Sequence, residues 1–431
     1  VVSAYDAEYG DLVLVRYKDD GSYSRIEYLD GAPAGGEVVA DPNGPRGGVR
    51  EPGPDVGTHT SLAADSTGRL RVAYHDRDNK ALRMAVQIPG DWVTYTLDAP
   101  TGEDGRVGTF TDVAVDDEGI VWVSYLASNV TGMPGFAGPA NGLKVAKSLS
   151  NDPRSAADWQ FFFVDTRAPF DACDGACSAT EACTLDGCQT TAPDCPRTCN
   201  TGEACVALDE PDEDGNTSAC AAPPLPLAPE GKPRARGLHT AIVAATGGAL
   251  VAYYDSIDGD VRLARLSSTG TAEVFVVDGD GTEGRLSGDV GRFPSLAVNG
   301  DEVLLAYTDF SRHQLRLWRG TPGTAGTREV LDDGLSTEGP GLRFVGAGGR
   351  LVATPAGPLV VYQDASSLDL KLAEEGESGF STQVLLQEGA HGFYSDVVVN
   401  ETTAFIVSVQ ARVDGRGQEA SRLTVLPRTL P

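Results

Sequence analysis

Apolar and polar positions alternate along this chain in short runs separated by Gly, Asp and Asn, the period of two that a half-buried β-strand imposes. One unit shows the pattern. SLAAD (Ser61–Asp65), RLRVAYHD (Arg69–Asp76), ALRMAVQ (Ala81–Gln87) and DWVTYTLD (Asp91–Asp98) read as four successive strands, A to D, with A innermost. The first hairpin, HTSLAADSTGRLRVAYHD from His59, recurs as FTDVAVDDEGIVWVSYL from Phe110, HTAIVAATGGALVAYYD from His239 and FPSLAVNGDEVLLAYTD from Phe293. Fainter copies run from Gly348 to Asp364 and from Tyr394 to Gln410. A strand-only repeat of about fifty residues predicts an all-β fold, a β-propeller. Starts of strand A fall near residues 60, 111, 240, 294, 349 and 395, and roughly residues 1–6, 11–17 and 23–29 supply a B, C and D without an A. Seven blades follow, with closure shared between the termini; six is the alternative, since the last unit lacks a clear strand D.

One segment breaks the repeat. All eight cysteines lie between Cys173 and Cys220, as two tetrads that share the spacing C-x3-C-x5-C over their first three members. An even count in a loop-rich, apolar-poor segment reads as a disulfide framework formed in an oxidising compartment. A pairing of first with third and second with fourth in each tetrad is one candidate, and a zinc knuckle is the rival, though C-x3-C is loose for zinc and the segment has no His. The expected organisation is propeller over residues 1–166, a disulfide-rich insertion over 167–232, and propeller again over 233–431.

The repeat resembles a family of exported bacterial β-propeller repeats of the form DVGxxxSLAVDxxGxxxVAYYDxxxxxLxxA. Asp289-Val290-Gly291 followed by Ser295 through Asp309 carries that resemblance, as does Asp55-Val56-Gly57 followed by Ser61 through Asp76. The A/B hairpin is also similar to NHL repeats, and it lacks the S-x-D-x-G-x-x-W box of sialidases. The resemblance implies architecture and export, to the periplasm, the cell surface or the medium. It does not imply an activity, because propellers host unrelated functions.

Charge narrows the partners. With 34 Lys and Arg against 62 Asp and Glu, the net charge of -28 disfavours nucleic acid and anionic membranes and leaves neutral or cationic partners and metal ions. No apolar run is long enough to span a bilayer, Val1 opens no signal peptide, and the chain reads as a processed export product, expected to be a monomer. Asn129, Asn216 and Asn400 stand in N-x-[ST] sequons.

Candidate chemistry gathers where the repeat is interrupted. In propellers the D-to-A and B-to-C connections share one face around the channel mouth. The long insertions fall in those connections: Gly31–Pro54, Asn129–Gly142 and the cysteine segment. The five histidines map there too. His59 and His239 hold one register before strand A, His391 lies three residues before the matching Tyr394, and His75 and His313 lie at B-to-C connections. Imidazoles converging on one axis predict a copper or zinc site built from His59, His239 and His391, with Tyr394 and His75 as catalytic residues around it, acting on a small or polymeric extracellular substrate through water or dioxygen. Because Phe110 and Phe293 occupy the same register, the position can equally be a slot for any flat ring. The alternatives are then a cell-surface binding or scaffold propeller without chemistry, or a polysaccharide lyase or hydrolase using His and Tyr. Calcium is a further candidate at Asp278–Gly281 and Asp209–Asp214, though solvated acidic loops explain both. Asp76, Asp255, Asp309 and Asp364, each closing a strand B, are expected to cap turns.

Overall fold

The computed structural model describes all residues except 32–37, 43–47, 49, 51–52, 103, 135–138, 168–176, 185–186, 200–203, 209, 213–214, 222–234, 283, 336–340, 378, 401, 414–418 and 431. Seven antiparallel sheets follow one another as seven blades. Blades 2 to 6 each have four strands, starting with strand A at Val56–Ala64, Arg106–Val115, Arg236–Ala245, Val290–Asn299 and Val345–Thr354. Blade 1 has three strands, Val2–Asp6, Asp11–Tyr17 and Tyr23–Asp30, which correspond to B, C and D. Blade 7 also has three, Ala390–Asn400, Thr403–Val413 and Glu419–Thr429, which correspond to A, B and C. Among the described residues the closure therefore runs between a sheet of strands B, C and D and a sheet of strands A, B and C.

Strand A begins about five residues earlier than its alternation suggests, because two irregularities hide the first turn. Its register against strand B shifts twice, as between Val56 and Thr58 and again between Thr58 and Ser61. All six A strands repeat this. Each double bulge holds a left-handed glycine (Gly57, Gly108, Gly237, Gly291, Gly346, Gly392) and, two residues on, a second left-handed residue: His59, Phe110, His239, Phe293, Gly348 or Tyr394. Bulges add twist and re-aim side chains.

Blades are latched by a tyrosine of strand B and an aspartate at or near the end of strand D of the preceding blade. Tyr74 donates to Asp30, Tyr125 to Asp98, Tyr253 to Asp165, Tyr307 to Asp278 and Tyr362 to Asp332, at 2.5 to 2.7 Å. Burial and the facing carboxylate push all five phenols up. Between blades 6 and 7 both partners change together, to Leu386 and Ser408. Apolar clusters such as Ala252, Leu263, Leu296, Leu305 and Trp318 fill the space between neighbouring blades. The aspartates that close strand B cap turns as expected: Asp76, Asp255, Asp309 and Asp364 accept the backbone N–H groups of Asn79, Ile257, Arg312 and Ser366.

The cysteine segment carries two small hairpins, Glu181–Thr184 with Gly187–Thr190 and Ala204–Ala207 with Ser218–Ala221. Disulfides join Cys177 to Cys188, Cys195 to Cys205 and Cys199 to Cys220. This is the first-to-third, second-to-fourth pattern wherever it is described; the remaining expected bridge needs Cys173, which lies outside the described residues. Cys195, Cys199 and Cys220 are thus engaged with sulfur, and the zinc knuckle gives way to disulfides in that tetrad. No helix is long and apolar enough to cross a membrane among the described residues.

Candidate functional site at the channel mouth

The second left-handed residue of each bulge forms an arc around the mouth. The rings of His59, Phe110, His239 and Phe293 follow one another through blades 2 to 5, with centroids 5.1, 4.5 and 4.5 Å apart and planes tilted by 55 to 58°. Blade 6 places Gly348 at this register, and blade 7 places Tyr394, which is 87 % exposed. Left-handed backbone at a bulky residue costs of order 1–3 kcal/mol. Here it recurs in six blades and belongs to the bulge that presents the rings.

Two residues deeper, at the next equivalent register, stand Ser61, Asp112, Ala241, Ser295, Arg350 and Asp396. Three of these side chains reach sideways to the next A strand. Ser61 Oγ accepts the N–H of Val113 at 3.1 Å, Asp112 Oδ2 that of Ile242 at 2.8 Å, and Ser295 Oγ that of Leu351 at 2.9 Å. Asp112 also accepts the Ser61 hydroxyl at 2.7 Å. Burial raises the Asp112 carboxyl above the usual carboxylate range, against the pull of Arg350 and its two hydrogen bonds, while the charge of Asp396 adds to the rise. The register thus combines a protonation-prone acid, a cation and an exposed carboxylate.

His75 lies inside strand B, Leu70–Asp76, rather than in the connection after it, and is 3 % exposed. Its Nδ1 faces the Ala81 carbonyl at 3.3 Å and its ring is 6.1 Å from that of His59. Burial, then His59, Arg106 and Arg77, lowers its pKa to about 3; burial, then Arg106 and Arg77, lowers that of His59 to about 4. Both are neutral at pH 7. His391 is buried in strand A of blade 7, at the register of Val56, Val290 and Val345, with Nε2 at 2.9 Å from the Glu388 carbonyl. His313, in the turn after strand B of blade 5, packs with Phe310 and Phe344.

The structure therefore brings His59 next to His75 and sets Phe110 between His59 and His239, while His391 sits in a core position. Among the described residues no three His, Asp or Glu side chains bring ligand atoms within 4.8 Å of one another, and the one such group consists of disulfide cysteines. In the Asp278–Gly281 loop, Asp278 accepts the Tyr307 hydroxyl and the Leu286 N–H, and Asp280 pairs with Arg285. Asp209 and two of the carboxylates up to Asp214 lie outside the described residues. What sequence reasoning missed is the deeper register of Asp112, Arg350 and Asp396. Its signal was present, as the second residue after each His, Phe, Gly or Tyr of the bulge.

The buried His75 imidazole gives a pH signature. His75 titrates near 6.5 in the unfolded chain and near 3 when folded, so the unfolded state binds more protons between those values. Stability from this group is complete above about pH 6.5 and falls as the pH drops toward 3, by about 5 kcal/mol at most. His75→Phe is expected to flatten the parent's loss of stability between pH 6.5 and 4, measured by urea unfolding across that range. An unchanged slope would show that His75 is not held neutral.

No family model matches the chain, and no curated protein matches it. Solved structures similar to it include the α-L-arabinofuranosidase of Fusarium graminearum in complex with arabinobiose, at 9% identity over 86% of this chain and 92% of that one, TM-score 0.43. A puromycin hydrolase is similar at 15% identity over 99% of this chain and 51% of that one, TM-score 0.43. An endo-arabinanase of Bacillus licheniformis is similar at 11% identity over 84% and 96%, TM-score 0.32. Likeness at this level concerns the propeller fold.

Proposed function

We propose that the protein is an extracellular saccharide-binding propeller that takes a neutral glycan into its channel mouth. The observation that carries this is the arc of partly exposed rings at the mouth, with Asp112, Arg350 and Asp396 at the next register of the A strands. Aromatic faces pack against the C–H faces of sugars, and charged groups at the floor pair with hydroxyls; such a mixed apolar and polar concavity is how small-ligand sites are built. The net charge of -28 favours a neutral polymer over a uronate. The neutral His59 at the mouth offers ring nitrogens to hydroxyls.

A hydrolytic role for the same site is favoured by the raised Asp112 acid near the exposed Asp396, since a proton donor and an ionised carboxylate are the two groups glycoside hydrolysis needs. In that role Asp112 would protonate the leaving oxygen and Asp396 would serve water or the anomeric carbon.

The test is affinity electrophoresis on neutral arabinan, xylan and glucan beside polygalacturonate, with reducing ends measured in parallel. Retention by a neutral polymer that persists in EDTA, and that Tyr394→Ala or Asp396→Ala weakens about tenfold, roughly 1.4 kcal/mol, is the expected result. Retention abolished by EDTA would restore a metal-centred reading, and equal behaviour of parent and both variants would overturn the site. Release of reducing ends by the parent and not by Asp396→Asn would add catalysis to binding.

A further inference from the structure

Blade 5 and the connection that leaves it depart from the repeat at positions that meet in one place on the mouth face. The residue after strand B is Phe310, where blades 2, 3, 4 and 6 have Arg77, Ser128, Ser256 and Ala365. Just before strand A of blade 6 stands Phe344, where blades 2 to 5 have Asp55, Arg106, Ala235 and Asp289. Between the bulge glycine and the ring of blade 5 stands Arg292, where blades 2, 3, 4 and 6 have Thr58, Thr109, Leu238 and Ala347. His313 takes the turn position that Lys80, Gly259 and Leu368 hold elsewhere.

These departures touch one another. Phe310 lies edge-to-face with Phe344, with centroids 5.2 Å apart and planes at 71°, and His313 stands edge-on to Phe344 at 5.3 Å and 89°. The Arg292 guanidinium lies over the Phe310 ring, with Cζ 3.7 Å from its centroid, and 5.7 Å from the centroid of Tyr254. Asp289 fixes that guanidinium, accepting from Nε at 3.2 Å and from Nη2, and its Oδ1 also accepts the hydroxyl of the buried Tyr254 at 2.7 Å. Phe310 is therefore held on several sides, yet it is 37 % exposed. Among the described residues neither phenylalanine is part of the apolar clusters between blades 4 and 5 or between blades 5 and 6. Packing between blades accounts for neither ring.

A partly exposed ring that its neighbours already hold still loses little freedom when a ligand covers it, and its face suits the C–H face of a sugar. The cations around the cluster are each paired: Arg292 with Asp289, Arg312 with Asp309 and Arg343 with Asp364. That balance favours a neutral, hydroxyl-bearing ligand over an ion. Arg292 directly precedes Phe293, the ring that blade 5 gives to the arc, so this platform begins one residue outside the mouth.

We infer that Phe310, Phe344 and Arg292 form an outlying subsite over blade 5, which takes a further sugar unit of a neutral glycan whose other units lie in the mouth. The inference rests on saccharide binding at the mouth and adds to it a direction and a dependence on length. Once the mouth is occupied, the next unit meets the platform as part of the same molecule, and affinity grows without any change at the mouth.

The probes are linear arabino-, xylo- and cello-oligosaccharides from dimers to octamers, titrated by calorimetry into the parent, Phe310→Ala, Phe344→Ala and Phe310→Trp, with Tm measured for each. The parent is expected to bind the octamer of one series at least tenfold more tightly than its dimer. Both alanine variants should hold the dimer within twofold of the parent and lose most of the gain with length, while Phe310→Trp, which keeps a flat ring, retains it. A parent that binds dimer and octamer equally would overturn this inference and leave the mouth site standing, and so would a gain that persists in both alanine variants. An equal loss of dimer and octamer in those variants would overturn it as well, by making the rings a support of the mouth. A parent that binds no oligosaccharide of any length would overturn the mouth site and the subsite together.

Discussion

Asp165→Ala is expected to destabilise the folded protein by about 3–5 kcal/mol, the cost of taking one partner from a buried ionic cluster. Asp165 lies two residues before the end of strand D of blade 3, Trp159–Arg167, where the chain leaves for the cysteine segment. Its Oδ1 accepts from Arg236 at 3.0 Å and its Oδ2 from the fully buried Tyr253 at 2.6 Å, with Arg262 at 3.7 Å. Arg236 stands at the start of strand A where the chain returns, so this carboxylate closes the neck of the insertion and latches blade 3 to blade 4. Alanine strands the Tyr253 hydroxyl and leaves Arg236 and Arg262 sharing Asp255. Tyr253→Phe removes only the hydroxyl and is expected to cost about 1–3 kcal/mol. Urea unfolding should show a lower midpoint with the slope nearly preserved in both. A loss below 1 kcal/mol for Asp165→Ala would show that the cluster contributes little beyond its own desolvation.

Gly291→Ala should be as damaging, for a different reason. Gly291 has φ of 106° in the first bulge position of blade 5, and a Cβ there would lie 2.3 Å from the Cβ of Val261 and 2.6 Å from its Cα. The obstacle is a strand of the preceding blade, which cannot move without opening the sheet. Overpacking of this kind costs about 1–3 kcal/mol, and an unfavourable backbone region adds about 1–2 kcal/mol. Gly68→Ala separates the two effects: it has φ of 81° but nothing within 4 Å of its would-be Cβ. It should therefore lose only the backbone part. Comparable losses at Gly68 and Gly291 would place the whole penalty in the backbone and none in blade packing.

Parts of the site were legible before the structure. The register that aligns His59, Phe110, His239, Phe293 and Tyr394 follows from the repeat alone, and so does the expectation of a slot for flat rings. The three described disulfides follow the spacing of the tetrads. The convergence of His59, His239 and His391 does not emerge as a cluster. The reason is geometric: equal register places side chains around a circumference, and neighbours on a ring meet the blade beside them before they meet across the axis. His59 thus contacts Phe110, not His239. His391 sits three residues earlier in a bulged strand, where the chain has turned into the core register of Val56 and Val290.

The amino-acid sequence by itself determined the blades, because period-two alternation and turn residues are local and recur with each copy. It also determined where each turn is capped, since an aspartate bonds to backbone only a few residues away. The tertiary structure alone decided what the blades do to one another. The Tyr253–Asp165 latch spans 88 residues, and the Asp112–Ile242 clamp spans 130. These are pairings between separate repeats, and a repeat cannot state which neighbour it will meet until burial of the faces between blades has put them in order.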